Sequence, residues 1–337
     1  MMLKIKMSNI FPNEPLLRQT PSSSGIWGTC KFYINESIDE CDYWVVYDGL
    51  MKQEIGICPP ENLIFITGEP PDQRTYNKTF LSQFAKVITC HNINAPVNVV
   101  RTQQALPWHI GWNKLSLQSD DCLTYDDFKR MRPDSKSKLI SVICSSQDRL
   151  PGHQRRLFFL NKLRNHFGSR IDIFGRGIRP VDDKLKAIAP YKYHIVLENS
   201  CIRDYWTEKL ADTFLGFAFP IYSGCPNIKE YFPAESLEII DIDNWEKGIA
   251  QVERIISSNM YNEAFPSMIK AREAVLDKYN LFAMLAEICK PITSEKPPKA
   301  VTIVPESYFP NTLETVRRKI SRIPGYIRYF IRQKLQR

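Results

Sequence analysis

The sequence predicts an α/β fold of two facing Rossmann-like domains with a ligand cleft between them. Three observations carry this expectation. Apolar runs of strand length alternate with helical patterns of about 10–15 residues, the signature of βαβ units and a parallel sheet. The alternation stops at a polar, charged segment, YDDFKRMRPDSKSK at 125–138, which reads as a linker, and then restarts. The 337 residues suffice for two domains of ordinary size. The expected division is an N-terminal domain over 1–132, a C-terminal domain over 137–292 and a final segment over 293–337.

In the first half, strand-like runs lie at 3–7, 43–47, 63–67 and 87–89, separated by loops such as EPPDQRTYNK and NINAPVN. In the second half, LISVICSS reads as a buried strand. HQRRLFFLNKLRNHF reads as a helix, with Leu157, Leu160, Leu163 and Phe167 spaced by three and four. IDIFGRG is a strand running into a glycine turn, and YHIVLENS is another strand. TEKLADTFLGF is a helix that turns Leu210, Phe214 and Leu215 inward. FPIYSG and SLEIIDID complete the strands, and the chain from about 245 to 290 reads as helix. There is no internal repeat.

Composition narrows the class. With 43% hydrophobic and 24% charged residues the chain is that of a soluble globular protein. No apolar run approaches the roughly 20 residues needed to cross a bilayer. The opening MMLKIKMSNIF alternates like a strand and lacks a signal-peptide block, so a cytoplasmic location is expected. Nine cysteines, an odd number with no C-x-x-C pair, read as reduced thiols. Five histidines without H-E-x-x-H spacing give no expectation of a structural metal.

The net charge of +8 is localised. From Thr315 onward there are eight basic residues and no acidic one, which leaves 37 of the 45 Lys and Arg to balance 37 Asp and Glu. The body is neutral, which argues against a nucleic-acid-binding surface. Within the tail, Val316, Ile320, Ile323, Ile327, Phe330, Ile331 and Leu335 recur at spacings of mostly three and four. Such a basic amphipathic stretch, interrupted at Pro324 and Gly325, suits an anionic membrane surface. Packing of the apolar stripe on the body is the other reading.

The stretch LENSCIRDYWTEKL at 197–210 is the strongest candidate site. Ligands of open α/β sheets gather beyond the carboxyl ends of strands, where helix N-termini point. Glu198 and Asn199 end a strand there, Thr207 suits an N-cap, and Glu208 and Lys209 fall in the first helical turn. A lysine there opposes the helix dipole. Singly, each residue reads as a solvated helix start or strand end. Together, behind a strand as apolar as YHIVL, they read as backbone amides and an ammonium aimed at a diphosphate, with carboxylates for sugar hydroxyls.

The run YKYHIVLENSCIRDYWTEKLADTFLGFAFPIYSGCPNIKEYFP resembles the α-1,3-fucosyltransferases of glycosyltransferase family 10. Their signature is a Y-K-F strand ending in F-E-N-S, a short loop, Y-x-T-E-K, and a strand carrying P-(I/V). GHQRRLFFLNKL is similar to the family's arginine-bearing helix. FITGEPP, QFAKVITCHN and ALPWHIG are similar to N-domain segments of bacterial members. The resemblance covers about 60–290. This chain departs from it with V-L-E-N at the strand end and with Asp204 and Trp206 in the loop.

The resemblance implies a GT-B fold and inverting transfer of fucose from GDP-fucose without a metal or other cofactor. It implies that Glu208 holds donor hydroxyls, that Lys209 meets the diphosphate, and that Asn199 and Tyr205 line the same pocket beside Glu198. Arg156, or its neighbour Arg155, would supply a second cation. Glu69 matches the position of the general base. The implied acceptor is a bacterial-type surface glycan or lipid-linked saccharide.

Weaker signals have simpler readings. Asp241 and Asp243 have the D-x-D spacing of metal-dependent glycosyltransferases but read as a cap or turn. Gly175 and Gly177 read as a tight turn, and His194, inside a strand, as a core histidine. Two alternatives to the fucosyltransferase stay open here. One is a GT-B enzyme using another nucleotide sugar; the other is a non-catalytic, basic, membrane- or RNA-binding protein on the same fold.

Overall fold

The computed structural model describes residues 2–113, 122–289 and 297–310. The basic stretch from 315 onward, with its expected membrane contact, lies outside them.

The strands of the first half are β1 (Leu3–Asn9), β2 (Ile26–Trp27), β3 (Cys30–Ile34), β4 (Tyr43–Tyr47), β5 (Glu54–Cys58), β6 (Leu63–Ile66), β7 (Lys86–Thr89) and β8 (Asn98–Arg101). Seven of them form a sheet in the order β2-β3-β1-β4-β6-β7-β8, parallel except for the β2–β3 pair. Its central strand β4, YWVVY, is buried throughout, as a parallel strand covered on both faces must be. Successive residues serve opposite cores. Val45 and Tyr47 pack with Ile5, Met7, Ile64 and Ile66. Trp44 and Val46 pack with Phe65, Val87 and Phe80, the last from helix α1 (Lys78–Leu81). Each fully buried Val, Ile or Phe contributes about 1.5–3 kcal/mol.

The segment expected as a linker contains helix α2 (Tyr125–Arg130), closed by a capping box between Thr124 and Asp127. Phe128 at its centre is fully buried in the core of the second domain. The polar composition is therefore the outer face of a packed helix, not a free tether.

The second domain holds β9 (Lys138–Ile143), β10 (Asp172–Phe174), β11 (Tyr191–Leu197), β12 (Phe219–Ser223) and β13 (Glu238–Ile239), all parallel in the order β10-β9-β11-β12-β13. Between and after them run α3 (Pro151–Phe167), α4 (Leu185–Ile188), α5 (Glu208–Leu215), α6 (Trp245–Ile256) and α7 (Met260–Asp277). One sheet face packs Phe159 and Leu163 of α3 and Val252 of α6. The other packs Leu210, Phe214 and Leu215 of α5 and Val275 of α7, with Trp108 and Ile110 arriving from the first half.

Two facts depart from a boundary at 292. Helix α8 (Leu281–Ile288), capped by Asn280, buries Leu281, Phe282 and Leu285 in the core of the first sheet. Phe282 meets Phe32 edge to face at 4.9 Å. Strand β14 (Lys299–Ile303) then pairs antiparallel with β5. The chain thus returns to its first domain: Leu281–Ile288 and Lys299–Ile303 belong with it rather than with the second domain or a tail. Apolar periodicity marks a buried face but not which sheet covers it. The two sheets, parallel but for the β2–β3 pair, give the expected GT-B arrangement.

Candidate functional site

The site begins where β11 ends. Glu198 follows five consecutive buried residues and is itself 1% exposed, so its charge needs partners. Its Oε1 accepts from the Thr207 amide at 2.8 Å, and its Oε2 lies 2.8 Å from the Thr207 hydroxyl and 3.2 Å from Lys209 Nζ. Thr207 caps α5 by accepting from the Lys209 amide at 3.3 Å. Lys209 Nζ is also 3.6 Å from Glu208 Oε1. Burial pushes the Lys209 pKa down, but Glu198 and then Glu208 outweigh it, against opposition from Lys184 and Arg156. The net shift is upward, and Lys209 keeps its charge.

In front of this group lies a cavity of about 210 Å³, lined among others by Arg156, Lys184, Asn199, Glu208, Lys209 and Asp212. Lys184 Nζ lies 2.7 Å from Asp212 Oδ2 and 3.4 Å from Glu208 Oε1. Burial lowers the Lys184 pKa, but Asp212 and Glu208 more than reverse this and hold it charged. Arg156 is buried and donates to the Leu197 carbonyl at 3.3 Å. Its Nε, His153 Nδ1 and Asn199 Oδ1 are buried without a hydrogen-bond partner among the described residues. Three orphaned polar atoms at one cavity are what a polar ligand would satisfy. Of the two candidate arginines, Arg156 is the one on the cavity wall. Arg155 pairs with Asp243 at 3.3 Å instead. Gly152 permits this packing, since a Cβ there would sit 1.8 Å from the Asn199 carbonyl oxygen.

Glu69 faces this site from the first domain, just beyond β6, and is half-buried. Burial raises its pKa, Asp48 and Glu208 add to the rise, and Lys209 and Arg74 oppose it. Its loop is framed on both sides. Asp48 accepts from the Gly68 amide at 3.1 Å and from the Tyr76 hydroxyl, and pairs with Arg74 at 3.0 Å. His91 Nε2 donates to the Glu69 carbonyl at 2.7 Å.

The two halves are tied at the site. Ser200 donates to Asp72 Oδ2 at 2.9 Å, joining the loop after β11 to the loop that carries Glu69. Asp212, fully buried one turn beyond Glu208, accepts from the His109 and Ile110 amides at 3.0 and 3.1 Å. Asp183 accepts from the Gly111 amide at 2.8 Å. Carboxylates of the second domain therefore grip three successive amides of the crossing segment.

Of the residues expected around one cleft, Arg156, Asn199, Glu208 and Lys209 line the same cavity, whereas Glu69 is not on its wall and is coupled to it only through the charges of Lys209 and Glu208. The structure corrects two others. Glu198 and Tyr205, 1% and 2% exposed, stand behind the cavity wall rather than on it. Glu198 spends its oxygens on Thr207 and Lys209, and Tyr205 is buried near Glu198 and Glu69. The sequence reading missed Lys184, His153 and Asp212. Asp212 had a usable signal: an acidic residue among the inward positions of an apolar helix, four residues after Glu208.

The weaker signals have structural explanations. Asp241 Oδ1 accepts from the Asp243 and Asn244 amides at 3.1 and 3.2 Å, a turn cap. Gly175, at φ +139°, would place a Cβ 1.9 Å from the Cys144 carbonyl oxygen, so its turn serves packing. His194 is buried with Nδ1 2.8 Å from Ser141 Oγ, and burial, followed by Lys184, lowers its pKa to about 3.

The family model for the C-terminal part of glycosyltransferase family 10 (fucosyltransferase) matches residues 133–301. This chain belongs to glycosyltransferase family 10. Among curated proteins, it is similar to a fucosyltransferase-like protein of Arabidopsis thaliana, 37% identical over 68 residues, 19% of this chain and 13% of that protein. An alpha-(1,3)-fucosyltransferase of Helicobacter pylori is 30% identical over 70 residues, 20% of this chain and 15% of that protein. The human 4-galactosyl-N-acetylglucosaminide 3-alpha-L-fucosyltransferase 9 is 29% identical over 132 residues, 37% of this chain and 35% of that protein. The matches thus span well under half of each relative's length. Among solved structures, an alpha1,3-fucosyltransferase with GDP superposes with a TM-score of 0.48 at 16% identity, over 83% of this chain and 92% of that one. A DNA-modifying beta-glucosyltransferase gives 0.49 at 10% identity, over 85% and 99%.

Proposed function

We propose that this family 10 glycosyltransferase transfers fucose from GDP-fucose, with inversion, to a hydroxyl of a glycan or lipid-linked saccharide. The observation that carries the reading is the convergence of Lys209 and Arg156 on one cavity at the start of α5, with Glu69 facing it. Family membership and the fucosyltransferase relatives support fucose as the sugar.

In this reading the diphosphate lies against Arg156, Lys209 and the first amides of α5, and Glu208 and Asn199 hold donor hydroxyls. The acceptor hydroxyl attacks the anomeric carbon as Glu69 accepts its proton. The bond to the β-phosphate breaks, its electron pair goes to GDP, and the two cations stabilise that charge. One displacement inverts the centre. Because these cations carry the charge, we propose that no metal is required. Glu198 serves indirectly, by keeping Lys209 charged and aimed.

The chain from 315 onward is proposed to touch the anionic inner face of a membrane, placing the enzyme beside a lipid-linked acceptor in the cytoplasm. No described helix is long and apolar enough to cross a membrane. The experiment is GDP release from GDP-fucose with a panel of saccharide acceptors in excess EDTA. Acceptor-dependent turnover is expected; a strict metal requirement overturns the charge argument, and turnover of another nucleotide sugar alone overturns the donor.

A further inference from the structure

We infer that His153 is a ligand of the donor's diphosphate that takes up a proton when the diphosphate binds, an inference that rests on the donor reading above.

His153 lies in the first turn of the 17-residue helix α3, three residues before Arg156, so the two share a helix face. Both line the cavity, at 6% and 4% exposure. Each has a buried ring or guanidinium nitrogen without a partner among the described residues, His153 Nδ1 and Arg156 Nε. The close approach at Gly152 fixes this turn against the Asn199 backbone, so His153 cannot withdraw without moving α3. The core histidine His194, by contrast, has its Nδ1 held by Ser141 at 2.8 Å.

The charges around the ring set its proton. Burial lowers the His153 pKa, Arg156 and Lys209 lower it further, and Asp148 offers partial relief. Lys184 stands in the same cavity, with Asp212 and Glu208 engaged on it. His194 is neutral and burial holds Cys144 as a thiol, so neither supplies a counter-charge. These neighbours therefore favour the neutral ring. A bound diphosphate reverses the local field. It neutralises Arg156 and Lys209 and can place a negative oxygen where Nδ1 lacks a partner, which favours the imidazolium. The proton comes from solvent, and no covalent bond changes.

The test is calorimetric titration of the full-length chain with GDP-fucose, without acceptor, in two buffers of different ionisation enthalpy near pH 7.5. Both phosphates of this probe are esterified and do not titrate there. The wild type should take up a fraction of a proton. His153→Gln, which can donate but not titrate, should remove the uptake and weaken binding about tenfold, the scale of one charged hydrogen bond. Unchanged uptake in His153→Gln, or none in the wild type, overturns the inference while leaving the donor reading intact. Failure of the wild type to bind GDP-fucose overturns both. If His153→Gln lacks a melting transition, the wild-type affinity decides. It should fall as pH rises between about 6 and 8, where histidine titrates, and a flat profile overturns the inference.

Discussion

Lys209 Nζ stands 3.2 Å from the fully buried carboxylate of Glu198, an ion pair that backs the cavity wall at the start of α5. This pair explains how a lysine persists in the first turn of a helix, where the dipole disfavours it. Lys209→Ala should therefore do two separable things. It should weaken GDP binding severely, and it should destabilise the fold by about 3–5 kcal/mol by orphaning Glu198. Adding Glu198→Gln to Lys209→Ala should recover much of the stability in urea unfolding without restoring GDP affinity.

As the proposed base, Glu69 should set the pH dependence. Its folded pKa is raised, chiefly by burial and then by Asp48, and the base must be ionised to work. The acidic limb of kcat/KM should accordingly lie above the ordinary carboxylate range, with activity rising as pH rises through it. Asp48→Asn removes a neighbouring negative charge and should move the limb to lower pH. Glu69→Gln should bind GDP normally and fail to transfer; unaltered transfer would remove Glu69 as the base.

The two neighbouring arginines should behave differently. Arg156→Ala should cost GDP affinity at least tenfold by calorimetry, since its guanidinium lines the cavity. Arg155→Ala loses an exposed pair with Asp243 and should change stability by less than about 1 kcal/mol, with donor affinity unaffected.

Asp212 joins α5 to the His109 and Ile110 amides and also pairs with Lys184. Asp212→Ala should destabilise by about 3–5 kcal/mol, because it leaves two amides and a buried ammonium with fewer partners. Asp212→Asn, whose carbonyl can still accept from both amides, should lose less. Equal losses in urea unfolding would show that only the charge matters.

Much of this fold and part of the site could be read from the sequence, for physical reasons. Continuous apolar runs such as YWVVY and YHIVL announce parallel strands, and Thr207 with Glu208 announces a helix start. Long-range partners were hidden. Nothing local in Leu281, Phe282 and Leu285 says that they cross back to the first sheet. The polar run at 125–138 conceals Phe128 because one buried side chain makes no pattern. Glu198 looked like a ligand because spacing gives proximity but not direction; its burial turned it toward Thr207 and Lys209.

The central claim is that Lys209 and Arg156 hold the diphosphate of a guanosine nucleotide sugar. Parallel calorimetric titrations with GDP and UDP, on the wild type and Lys209→Ala, test it most directly. Wild-type binding of GDP in preference to UDP, abolished in the variant, is the expected result. Tighter binding of UDP, or GDP affinity unchanged in Lys209→Ala, would contradict it.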